Sequence, residues 1–165
     1  MPSEVELEHI VQRLAGDVSA LAEAPAAESY AGPVLFEGQA APQMFAQLLG
    51  GNLAVPRRPV AEPGRTVPFQ PSELDGRIGA RILPEWMDAV DDPTQRVWHG
   101  RPLLGHYLVD MEGVEPQPLP VVQKGVLKAY LLTRQPVKGQ SGSNGRARLP
   151  GRFGAKAASI SNLFI

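Results

Sequence analysis

Leu7, Ile10, Val11, Leu14, Val18 and Leu21 recur every three or four positions near the start of the chain. That spacing lays apolar side chains along one face of a helix. Ser3-Glu4-Val5-Glu6 precedes them in the capping-box form, so a helix is predicted to open at Ser3. Gly16 weakens it by about 1 kcal/mol relative to Ala, and Pro25 ends it. The stripe reads as a packing face. Residues 24–29 form a small-residue linker, and Tyr30–Gly38 reads as a short strand. Gln39–Leu49 is predicted to be a second helix, with Ala41, Phe45, Leu48 and Leu49 on one face and Pro42 tolerated in its first turn. Gly50-Gly51 is expected to stop it.

The pattern then lapses. Residues 52–75 carry five prolines from Pro56 to Pro71 without sustained periodicity, and read as a long loop of the kind that serves binding or motion. Gly76–Leu83 resumes strand character, Pro84-Glu85-Trp86 breaks it, Met87–Val90 extends again and Asp91-Asp92-Pro93 turns the chain. Leu103–Asp110 has strand composition and is closed by a turn at Asp110–Gly113. Leu119–Val122 and Val126–Thr133 flank a short Gln123-Lys124-Gly125 connection, the signal of a hairpin. Gly125 supplies the positive φ such a turn needs. Gly139–Gly145 reads as a flexible loop. Ser159–Ile165 reads as a strand without a closing turn, whose unpaired edge is expected to favour self-association. The sum is an α+β chain of mostly antiparallel sheet with two helices in its N-terminal half, treated as one domain over residues 1–165.

Composition narrows the chemistry. The 165 residues include no Cys, which excludes a disulfide scaffold, a thiolate metal site and a Cys nucleophile within the chain. No apolar run reaches the roughly 18 residues of a membrane span, and the acidic N-terminus lacks a signal-peptide layout, so no membrane contact and a cytoplasmic location are expected. The net charge of −1 conceals an asymmetry: all 17 carboxylates lie at or before Glu115, and 8 of the 16 Lys and Arg lie beyond it. Such a split either marks a surface for an acidic partner or nucleic acid, or neutralises itself within one fold. With no aromatic-and-basic platform accompanying it, the second reading is preferred.

Candidate chemistry is sparse. His9, His99 and His106 form no helical metal pair. Asp110 and Glu112 alternate onto one side of an extended chain, a candidate acidic site that His106 could join in a hydrolase. Asp91-Asp92-Pro93 favours a turn over paired acids. Ser141 and Ser143 lack a nucleophile elbow. Ser143, Asn144, Gly145, Arg146 and Arg148 form a candidate contact for an anion or a peptide carboxylate through backbone N–H groups and two guanidinium groups.

Six blocks in order are more specific than any of these. Tyr30-Ala-Gly-Pro-Val-Leu-Phe-Glu-Gly-Gln-Ala-Ala41, Val90-Asp-Asp-Pro-Thr94, Val109-Asp-Met-Glu-Gly-Val114 and Val122-Gln-Lys-Gly-Val-Leu-Lys128 are followed by Ser143-Asn-Gly-Arg-Ala-Arg148 and Ser161-Asn-Leu-Phe164. Together they resemble the TldD/PmbA family of zinc metallopeptidases, also described as modulators of DNA gyrase, over part of its C-terminal domain. The resemblance implies a β-rich module. Catalytic members hold zinc through a His-Glu-x-x-x-His helix upstream, which this sequence lacks, so no cofactor is expected in this chain. The resemblance also implies pairing with a like or related TldD/PmbA subunit around a chamber that admits small or unfolded peptides. The expected role is therefore a non-catalytic portion of such a peptidase, lining the chamber or forming the subunit contact. The alternative is a module binding an acidic partner through the basic final third.

Overall fold

The computed structural model describes residues 2–150 and 154–165. The chain divides into two units, Met1–Leu35 and Phe36–Ile165. In the first, helix α1 spans Glu4–Glu23. Its start is fixed as the sequence predicts: Ser3 Oγ accepts from the Glu6 N–H while Glu6 Oε2 accepts from the Ser3 N–H at 2.7 Å. These bonds, the backbone one first, hold the Glu6 carboxyl below its usual pKa. No residue of α1 is buried, so the stripe read as a packing face is exposed. Among the described residues of this unit there is no second element for it to pack on.

The second unit carries the core. Helix α2 (Ala40–Phe45) runs on through a π turn (Ala46–Gly50) into a last helical turn, α3 (Gly51–Leu53). The predicted stop at Gly50-Gly51 is thus corrected: both glycines are helical, and Gly50 is buried against Ile160, where a Cβ would lie 2.9 Å from Ile160 Cδ1. Gly50 serves close approach, and neither glycine terminates the helix; Gly51 is exposed with nothing near its missing Cβ. A four-stranded antiparallel sheet follows, in the order β5-β4-β1-β8, from β1 (Ala89–Asp91), β4 (Leu119–Gln123), β5 (Val126–Leu127) and β8 (Leu163–Phe164). Two small hairpins, β2 (Val97–Trp98) with β3 (Arg101–Pro102) and β6 (Ala147–Pro150) with β7 (Lys156–Ala158), complete the β structure. Leu49, Leu53, Val121, Val122, Leu127 and Leu131 form the centre of one buried cluster. This is the α+β, mainly antiparallel class that the sequence pattern implies.

The hairpin at Lys124-Gly125 forms as predicted, both residues having positive φ (47° and 74°). Its second arm is shorter than Val126–Thr133, because after Leu127 the chain bulges and then bridges Leu131 to Ala54. Three predicted strands are corrected. Tyr30–Gly38 has no ladder partner and closes locally through Tyr30 Oη donating to the Pro33 carbonyl. Gly76–Leu83 is a series of turns (Gly76 φ 75°, Gly79 φ 86°) that lies along β5 through the Arg81–Val126 bridge, with the Gly79 N–H donating to the Leu127 carbonyl and the Leu127 N–H to that of Ala80. Leu103–Asp110 is irregular, held by bonds such as Gly105 N–H to Asn162 Oδ1. Strand-forming side chains are present in all three; Tyr30–Gly38 and Leu103–Asp110 join no ladder, and along Gly76–Leu83 the glycine turns interrupt the pairing with the β5 edge. Ser159–Ile165 contributes only the two residues of β8, which occupy an edge of the sheet.

Candidate functional site

Asp91, on β1, is fully buried. A buried carboxylate needs partners for both oxygens, and it has them. Oδ2 accepts from Arg146 Nε at 2.6 Å, and Oδ1 accepts from the Ser161 N–H (2.7 Å) and Ser161 Oγ (2.9 Å). Arg146 is equally enclosed. Its Nη2 donates to the carbonyls of Asp91 and Gln117, and its Nη1 to that of Asn144. Asn162 extends the network, donating to the carbonyls of Asp92 and Gln95 and accepting from Gly105. Asp92 Oδ1 accepts from the Thr94 N–H and hydroxyl, so the predicted turn begins there, one residue after the strand.

These bonds account for the predicted site residues. Ser143, Asn144 and Gly145 do not hang in a loose loop. Asn144 Oδ1 accepts from the Leu132 N–H and its Nδ2 donates to Tyr130, replacing a strand partner along that segment. Ser143 Oγ donates to Leu132 and accepts from the Gly145 N–H. Gly145 has φ 74°, and its carbonyl accepts from Tyr107 Oη at 2.7 Å. Arg146 points into the protein. Arg148 is half-buried, as Ser143 and Asn144 are, with its guanidinium over the Tyr107 ring, 4.1 Å from the centroid. Burial pushes the Tyr107 hydroxyl pKa up to about 12; Asp91 and Asp110 add to the rise, and Arg146 and Arg148 oppose it.

Asp110 and Glu112 separate. Asp110 is buried: Oδ1 caps the N–H groups of Glu112 and Val114, and Oδ2 accepts from Ala147 N–H. Glu112 instead accepts from the Arg134 N–H at 2.6 Å. His106 Nδ1 lies 2.8 Å from the Pro93 carbonyl, which makes it a donor there and leaves it without a bond to either acid. Among the described residues no group of three His, Asp or Glu is placed to hold a metal ion. Sequence reasoning placed Asp91 in a turn and Ser161 and Asn162 in a family block, and missed both their network and Tyr107. Nothing in the chain pairs Asp91 with a guanidinium 55 positions on.

The second unit also has a groove of about 850 Å³. Leu131, Thr133 and Val137 line it beside the proline-rich segment (Val60, Val67 and Phe69) and strand β7. Arg57, Arg58 and Lys156 stand around it, and no carboxylate is among its described lining.

Comparison with known proteins supplies the family. Residues 29–165 match the PmbA/TldA metallopeptidase C-terminal domain. Over 78 residues the chain is 35% identical to a protein named metalloprotease from Archaeoglobus fulgidus, covering 47% of this chain and 17% of that one. Among solved structures, TldE from Thermococcus kodakarensis is similar at 22% identity and a TM-score of 0.44, over 56% of this chain and 20% of that one. A proposed modulator of a DNA gyrase from Thermotoga maritima is similar at 22% identity and 0.43, over 73% and 23% respectively. The chain thus spans about a fifth of the length of these relatives. With the family domain matched from residue 29 to residue 165, the chain belongs to the TldD/PmbA metallopeptidase family through its C-terminal domain.

Proposed function

We propose that this chain is a non-catalytic portion of a TldD/PmbA-like metallopeptidase, which lines the peptide compartment or forms the contact with a second family subunit. The observation that carries this reading is the match of residues 29–165 to the family's C-terminal domain. The side chains support it. The buried Asp91, Arg146 and Asp110 are committed to internal bonds, as suits a scaffold and leaves no acid or cation there free to act on a substrate. No step of the proposal runs through a metal. The partners are a peptide and a homologous or identical subunit, and the work of the chain is binding and shaping.

The purified chain should hold zinc far below one ion per chain and leave an unfolded protein substrate uncleaved, as read by metal analysis and by gel. Stoichiometric zinc lost on His99→Ala or His106→Ala, with cleavage of the substrate, would overturn the reading.

A further inference from the structure

We infer that the groove beside β7 is a docking site for an extended acidic peptide segment, bound along the outer edge of β7. This rests on the peptide-lining reading above and places it on named residues. β6 and β7 form a two-stranded sheet, so among the described residues β7 has a strand on one side only. All three of its residues line the groove. Where a strand would bond, Gln135 Nε2 donates to the Lys156 carbonyl at 3.3 Å, a side-chain contact that a peptide backbone can displace. An open edge facing a groove accepts a strand through main-chain bonds, and alternate side chains of that strand enter the groove.

The walls decide what those side chains are. Val60, Val67, Phe69 and Leu131 provide an apolar surface, and a volume of about 850 Å³ accommodates a few side chains. Arg57 and Arg58 stand on one side and Lys156 on the β7 side. Among the described residues Arg58, exposed, lies 3.8 Å from Asp75, while Arg57 and Lys156 form no ion pair and no carboxylate is in the described lining. Cations on both sides favour an occupant with several carboxylates over one with a single terminal charge. A peptide alternating apolar and acidic residues satisfies the edge, the floor and the rim together.

The test is fluorescence polarisation of a labelled peptide of alternating glutamate and valine with the full chain. A lysine–valine peptide and the glutamate peptide N-methylated at alternate residues serve as comparisons. Arg57→Glu and Lys156→Glu, both at partly or fully exposed side chains, should each weaken the glutamate peptide by about three- to tenfold, and Lys128→Glu, outside the groove, should not. Binding should fall as salt rises from about 0.05 to about 0.5 M, and N-methylation should abolish it. Thermal melts confirm that the variants remain folded. Equal binding of both peptides, unaffected by the groove variants, would overturn the groove assignment and leave the peptide-lining reading standing. No binding of any peptide would overturn both.

Discussion

Tyr107 shows how much a single side chain can depend on its surroundings. Its hydroxyl is buried, donates to the Gly145 carbonyl and has a pKa of about 12, raised chiefly by burial. In the unfolded chain the same phenol ionises near about 10. The folded state therefore holds the proton where the unfolded state releases it, and this share of stability is intact below pH about 10 and lost as pH rises towards 12. Urea unfolding at pH 8 and at higher pH should show a decline that is shallower in Tyr107→Phe. That variant should lose about 1 kcal/mol already at pH 8 for the missing hydrogen bond. Parallel pH curves for the two proteins would show that Tyr107 does not govern this range. The sequence marks Tyr107 only as an aromatic in a strand-like run. Its burial, its cation neighbour Arg148 and its bond to Gly145 arise from segments some forty residues apart in sequence, brought together only on folding.

Among the elements, the β4–β5 hairpin was the most legible and remains the most constrained. Gly125 combines a φ of 74° with an unusually close environment: a Cβ there would overlap the carbonyl oxygens of Leu83 and Pro84. Its own amide donates to Met87, and its carbonyl accepts from Ile82 and Leu83. Gly142 has a similar φ of 72° with nothing near its missing Cβ. The two positions therefore separate backbone strain from steric overlap. Gly142→Val should cost about 1–2 kcal/mol from φ alone. Gly125→Val should cost about 2–4 kcal/mol, strain and overlap together. Equal midpoints in urea would remove the overlap with the 83–84 segment as a cause. The turn residue could be read from the sequence because Lys-Gly between apolar runs specifies a local conformation. The carbonyls pressed against it could not. For the same reason the β2–β3 hairpin, with His99 and Gly100 both at positive φ, escaped notice: strands of two residues leave no alternation to read.

For the whole molecule, every residue of the buried cluster lies in the second unit, between Leu49 and Leu163. A protein of residues 36–165 should then unfold cooperatively, with a melting temperature within a few degrees of the full chain, by calorimetry or circular dichroism. Non-cooperative melting would mean that the first 35 residues are needed to complete the core. The charge split also resolves at this scale. Asp91 of the acidic part and Arg146 of the basic part meet as a buried pair, and the backbone amides of Arg134 and Ala147, within the basic part, are accepted by Glu112 and Asp110. Removing Arg146 from the surface weakens the case for an acidic-partner surface built on the final third. By itself, the sequence determined the capped first helix, the central hairpin with its glycine turn, the mainly antiparallel class and the family. Each depends on contacts within a few residues, on overall pattern, or on motif order. Only the tertiary structure decided which strand-like runs found an edge, that Gly50 and Gly51 lie within a helix, and that Arg146 turns inward to Asp91. Those outcomes depend on the free energy of desolvating and pairing groups far apart along the chain, which no local pattern of residues specifies.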